Sequence, residues 1–149
     1  MESATGQLTS HGMSDADRDF FLENGCLHVR KVLDGSHLVR LQGDFERIWA
    51  LEQPPVKQHK LLRHQTFIDL IEHPPILDLH RSIFGNQVEL LQFDLLRQGP
   101  HSTAPEQAWH RDFSFPGERP LAVNTILYLD DMSEETGPTR IVPGSHRGT

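Results

Sequence analysis

With Cys26 as its single cysteine, the 149-residue chain has no partner for an internal disulfide. A disulfide framework is excluded, and a reducing compartment is the expectation. Cys26 lies in "NGCLHVRKV", an apolar strand-like run in which a small buried hydrophobe is the plainer role than a reactive thiol. No apolar stretch approaches the roughly 18 residues that a membrane span needs. The start, "MESATGQLTSHGMSDAD", carries neither a basic nor an apolar leader segment, so no secretory signal is expected and a cytoplasmic location is the default. Positive charge is scarce and scattered: the formal net charge is −7, and 11 of the 14 basic residues are arginines spread along the chain. Without a basic stripe to neutralise phosphates, neither nucleic acid nor an anionic membrane is an expected partner. A glycine-rich phosphate cradle is missing too. The acidic group Asp130, Asp131, Glu134 and Glu135 lacks the oxygen-ligand spacing of a calcium loop and reads as a solvated turn. No internal repeat or low-complexity tract is present.

What remains is the composition of one soluble globular domain, 36% apolar and 23% charged. Residues 1–13 are small, polar and aperiodic, and are expected to form a flexible tail. The domain proper is expected over 14–149, with helices in 14–86 and strands in 87–149. Ser14 opens a helix, with acidic residues in its first turn and a stop at Asn24-Gly25. "CLHVRKVL" (26–33) alternates as a strand does. Asp34 caps a second helix with Leu38, Leu41, Phe45, Ile48 and Trp49 at helical spacing, and Pro54-Pro55 ends it. "TFIDLIEHPPILDLHRSIFG" reads as two short helices broken at Pro74-Pro75, with Gly85 as the stop.

After Gly85 the period changes from helical to nearly 2. Four strand candidates follow at 87–98, 108–115, 121–131 and 139–142, with Pro, Gly, Ser and Asn between them. Helices first and strands afterwards point to an α+β or mainly β architecture rather than alternating βαβ units. In "QAWHRDFSFPGERP" (107–120), strand geometry places His110 and Asp112 on one face and Arg111 on the other. Side by side, an imidazole and a carboxylate supply two thirds of a 2-His-1-carboxylate iron site, or make an ordinary hydrogen-bonded pair. With 10 histidines and 11 aspartates, about 0.7 such triplets are expected by chance, so the triplet alone decides little. The third ligand of such a site comes from a distant strand.

The order "DFFLENGCLHVRKVLD", "FIDLIEHPPILDLHRSIFG", "LLQFDLLRQGP", "WHRD" and "LYLDDMSEETGPTRIVPGSHRG" resembles the phytanoyl-CoA dioxygenase family over roughly 14–149, most specifically in the last run. The resemblance implies a double-stranded β-helix (a jelly-roll of the cupin kind) preceded by helices, of which this chain looks like the N-terminal half. It implies iron(II), 2-oxoglutarate and dioxygen, with a small organic molecule as the substrate to be hydroxylated. His110 and Asp112 are then the catalytic metal ligands, and Gln92, Asn124 and Ile126 line the cosubstrate pocket. The family's second metal-binding histidine and its 2-oxoglutarate-clamping arginine fall beyond "VPGSHRG", so the expectation is a partial site whose activity in these 149 residues is open. The alternative is a non-catalytic relative serving as a binding module. Another segment, or a second copy, would complete the barrel. His146 is expected to have a loop-structural role rather than to ligate, and His101, at the start of the loop before the His110 strand, to be a loop residue more readily than a substrate contact.

Overall fold

The computed structural model describes residues 12–52, 56–97, 109–112 and 122–147, with the backbone alone at 5–6. Among these residues the architecture is α+β and rich in helix. A two-residue strand β1 (Thr5–Gly6) runs parallel to β2 (His28–Val29), on either side of helix α1 (Asp15–Asn24). Helix α2 (Gly35–Glu52) is followed by strand β3 (Val56–Lys57), then by α3 (Gln58–Leu61), α4 (Gln65–Ile71) and α5 (Pro74–Phe84). Strand β4 (Asp94–Leu95) pairs antiparallel with β3, Val56 opposite Leu95 and Lys57 opposite Asp94.

Local chemistry accounts for the helices. The Ser14 hydroxyl accepts the Asp17 amide at 3.1 Å and opens α1. The Asp34 carboxylate takes the His37 amide at 2.8 Å and does the same for α2. Pro74 and Pro75 end one helix and start the next, because the first turn needs no amide protons. The apolar stripe of α2 buries Leu41 and Ile48, which join Val56, Leu61, Phe67, Leu70 and Leu95 in one core. Phe93 meets Phe67 edge to face at 5.9 Å. The Arg97 guanidinium lies over the stacked rings of Phe45 and Trp49, 5.5 Å from each centroid, and pairs with Glu46, so the end of β4 is clamped to α2.

The C-terminal end of α1 is sealed from 120 residues away in sequence. A helix leaves its last four carbonyls without partners. Here Gly25, in the left-handed conformation (φ 75°), donates its amide to Phe21 O at 2.7 Å. His146 Nε2 donates to Leu22 O at 3.1 Å, Arg147 donates to Leu22 O and Glu23 O, and the Gly144 amide donates to Asn24 O at 2.8 Å. All four are satisfied, three of them by the "PGSHR" turn.

The strand expectations are where sequence and structure part. Of 87–98 only Asp94–Leu95 forms a ladder, and of 26–33 only His28–Val29. Among the described residues, 122–131 and 139–142 form no ladder, and no double-stranded β-helix is built. Alternation specifies which side chains face inward, but a strand needs a second backbone alongside at about 4.8 Å. The neighbours of 122–130 are helices instead. Leu127 and Leu129 pack on the core, Thr125 meets His80 of α5, and Gln42 of α2 donates to Leu129 O at 2.6 Å. The odd positions thus face the helices while Asn124, Ile126 and Tyr128 face out, which is strand parity without a sheet. Most of the expected tail 1–13, the ends of the 108–115 candidate, His101 and Pro54-Pro55 lie outside the described residues. Within that tail, Gly12 is buried against α5 and the Met13 amide donates to Ser82 Oγ at 3.2 Å. Among the described residues no helix is long and apolar enough to cross a membrane.

Candidate metal centre

Residues 109–112 are irregular and bend at Asp112, so strand parity does not bring the pair together here. The side chains meet nonetheless: His110 Nε2 stands 3.2 Å from Asp112 Oδ1, with the two side chains 66% and 46% exposed. The Asn124 amide donates to the other carboxylate oxygen, Oδ2, at 2.7 Å. A carboxylate held on one oxygen by an amide keeps a defined edge toward the imidazole. Metal–donor bonds of about 2.1 Å meeting at a right angle separate two donor atoms by about 3.0 Å. The observed 3.2 Å suits two adjacent positions on one octahedral ion, and it is equally the length of a hydrogen-bonded ion pair. The donor set of imidazole and carboxylate suits iron(II).

The other candidates separate into two groups. Asn124 is brought to the pair, and Ile126, 50% exposed, shares its outward face two residues on. Gln92 is engaged elsewhere. Its amide donates to Asp94 Oδ2 at 2.5 Å, in an open groove shared with Lys57, Gln58, His59 and Leu62. Burial tends to raise the Asp94 carboxyl, yet hydrogen bonds from Gln92 and Lys57 outweigh it and hold the group below the usual carboxylate range. Trp109, beside His110, lies open to solvent with the Arg140 guanidinium 5.6 Å from its ring centre. Cys26 is half-buried, and burial pushes its thiol pKa up, as expected of an unreactive cysteine.

The sequence model of the phytanoyl-CoA dioxygenase (PhyH) family matches residues 21–149. The chain belongs to this family. Among curated proteins it is similar to an L-proline trans-4-hydroxylase of Streptomyces griseoviridis, 34% identical over 53% of this chain and 31% of that protein. It is similar also to a probable alpha-ketoglutarate-dependent hypophosphite dioxygenase of Stutzerimonas stutzeri, 34% identical over 86% of this chain and 52% of the relative. A third relative, dioxygenase af480 of Aspergillus fumigatus, is 34% identical over 54% of this chain and 27% of its own length. The chain therefore spans between about a quarter and a half of the relatives it matches. No solved structure matches it.

Within this phytanoyl-CoA dioxygenase family member, no third His, Cys, Asp or Glu joins His110 and Asp112 among the described residues. His146 is committed through Nε2 to the end of α1, and Arg147 to the same carbonyls, so the "PGSHR" turn acts here as a helix cap. From the sequence, His80 is a helix histidine with no ligand partner at i, i+4 and no part in the site. Its Nδ1 bonds Ile76 O at 2.8 Å and its Nε2 bonds Thr125 Oγ1 at 2.9 Å, fixing the residue next to Asn124. A lone histidine on a helix carries no sequence signal of a partner 45 residues away.

Proposed function

We propose that the chain is part of an iron(II)- and 2-oxoglutarate-dependent dioxygenase that hydroxylates a small organic substrate, with His110 and Asp112 holding the metal. The observation that carries this reading is the pair of donor atoms 3.2 Å apart, one carboxylate oxygen steadied by Asn124, in a chain of this family. Bound iron and 2-oxoglutarate supply the oxidation, in which one oxygen atom of O2 enters a C–H bond while 2-oxoglutarate becomes succinate and carbon dioxide.

The chain's own residues prepare that site. His110 offers the Nε2 lone pair, which requires its ring proton on Nδ1, and Asp112 offers Oδ1 while Asn124 occupies Oδ2. Ile126 continues the face of Asn124 as cosubstrate lining. Gln92 joins that lining only once its amide leaves Asp94. Large apolar side chains exposed after Gly85, such as Leu91, Leu96, Ile126 and Ile141, support a jelly-roll completed by further strands, from another segment or a second copy. The single cysteine supports a reducing, cytoplasmic setting.

The test is anaerobic addition of iron(II) to the purified chain with and without 2-oxoglutarate, following the weak visible charge-transfer band. A band that is lost in His110→Ala and in Asp112→Ala is the expected result. No iron uptake, or uptake indifferent to both substitutions, refutes the assignment.

A further inference from the structure

Asp112 is exposed on the stretch 109–112, which forms no ladder among the described residues, and a side-chain hydrogen bond orients its carboxylate. The Asn124 amide does this at 2.7 Å, but Asn124 belongs to 122–130, which also lacks a ladder among the described residues. Two hydrogen bonds between Tyr128 and Thr139 tie that segment to 139–142, and side-chain chemistry from the helices holds it on the other face. Gln42 grips it at Leu129, five residues from Asn124, and His80 grips it at Thr125, the very next residue. His80 is itself doubly tied. The Ile76 carbonyl can only accept, so Nδ1 carries the proton; in the neutral ring Nε2 is then the acceptor and the Thr125 hydroxyl the donor. A ring fixed at both nitrogens on a helix makes a rigid post, and Thr125 on that post sets where Asn124 stands.

We propose that His80 is a positioning residue for the metal-holding carboxylate, acting through Thr125 and Asn124 on Asp112; this rests on the reading of His110 and Asp112 as metal ligands. The chain runs from α5 to Thr125 by a hydrogen bond, to Asn124 along the backbone, and to Asp112 Oδ2 by a second hydrogen bond, leaving Oδ1 for the ion. Groups that orient a metal ligand tune affinity by about 10-fold or more when removed directly. Removal one residue further out is expected to weaken iron(II) binding by about 3- to 10-fold.

The test is the anaerobic iron(II) dissociation constant of the chain and of four variants, with the thermal midpoint of each. Thr125→Val removes the hydroxyl at constant shape, Thr125→Ser keeps it, His80→Ala removes the post, and the double variant His80→Ala/Thr125→Val removes both ends of one bond. The expected result is weaker binding in Thr125→Val and His80→Ala, wild-type binding in Thr125→Ser, and a double variant no weaker than the worse single one. A role in stability alone would move the midpoints without this pattern in affinity. Should His80→Ala fail to fold, Thr125→Val against Thr125→Ser still decides, since neither changes a residue of α5. Equal iron affinity in Thr125→Val and wild type overturns the positioning role and leaves the metal assignment standing. A wild-type chain that takes up no iron overturns both.

Discussion

Replacing Gly25 with alanine perturbs two things at once, and the structure separates them. Gly25 has φ 75°, where an L side chain costs about 1–2 kcal/mol because Cβ crowds the following carbonyl. An added Cβ would also overlap the His146 ring, 2.5 Å from Cγ, so the ring must leave. Its departure forfeits the hydrogen bond to Leu22 O, about 1 kcal/mol net, and uncovers a helix-end carbonyl. The sum is about 2–3 kcal/mol, which for a domain of this size lowers the melting temperature by roughly 5–10 °C. In a His146→Ala background the ring is already gone, so Gly25→Ala should then cost only the backbone share. Urea denaturation of wild type, both single variants and the double variant measures the coupling, expected at about 1 kcal/mol. Equal costs of Gly25→Ala in the two backgrounds would refute the helix-cap account of the "PGSHR" turn. A total below about 0.5 kcal/mol would refute the left-handed strain as well.

Three further outcomes follow from the same structure. Ile48 is fully buried, so Ile48→Ala should destabilise by roughly 3–4 kcal/mol in urea unfolding, through lost burial and the cavity left behind. Ser14→Ala removes the acceptor that opens α1 and should cost about 1 kcal/mol, with lower amide protection confined to the first turn of that helix. The His64 imidazole, 2.8 Å from Glu52 Oε1, holds that carboxyl below its usual range. A depressed folded-state pKa means stability that is present above the ordinary glutamate value near about 4.3 and lost as pH falls through the folded value. The thermal midpoint should therefore drop on acidification, and Glu52→Gln should flatten that slope.

Much of the helical half was legible in the residues. Ser14, Asp34, Pro74-Pro75 and Gly85 mark helix ends by chemistry confined to a single turn, and each boundary falls within a residue or two of where that chemistry places it. The sequence also names His110-x-Asp112 and the family, because both are written in identity and order. The short pairing of Val56–Lys57 with Asp94–Leu95 was not legible, nor was the capping of α1 by His146 and Arg147. The approach of His80 to Thr125 was equally hidden.

The period-2 pattern of 121–131 shows where the division lies. By itself the sequence determined that Leu127 and Leu129 face one way and Asn124 and Ile126 the other, since side-chain alternation is a property of any extended backbone. Whether that backbone lies against a neighbouring strand or against helices α2 and α5 is settled by contacts between residues 45 to 87 positions apart. The same holds for His110 and Asp112. Sequence places an imidazole and a carboxylate two residues apart, but only the tertiary structure brings Asn124 to one carboxylate oxygen and leaves the other toward His110. Local geometry is encoded in spacing, whereas a hydrogen bond across the fold depends on where the rest of the chain has already packed.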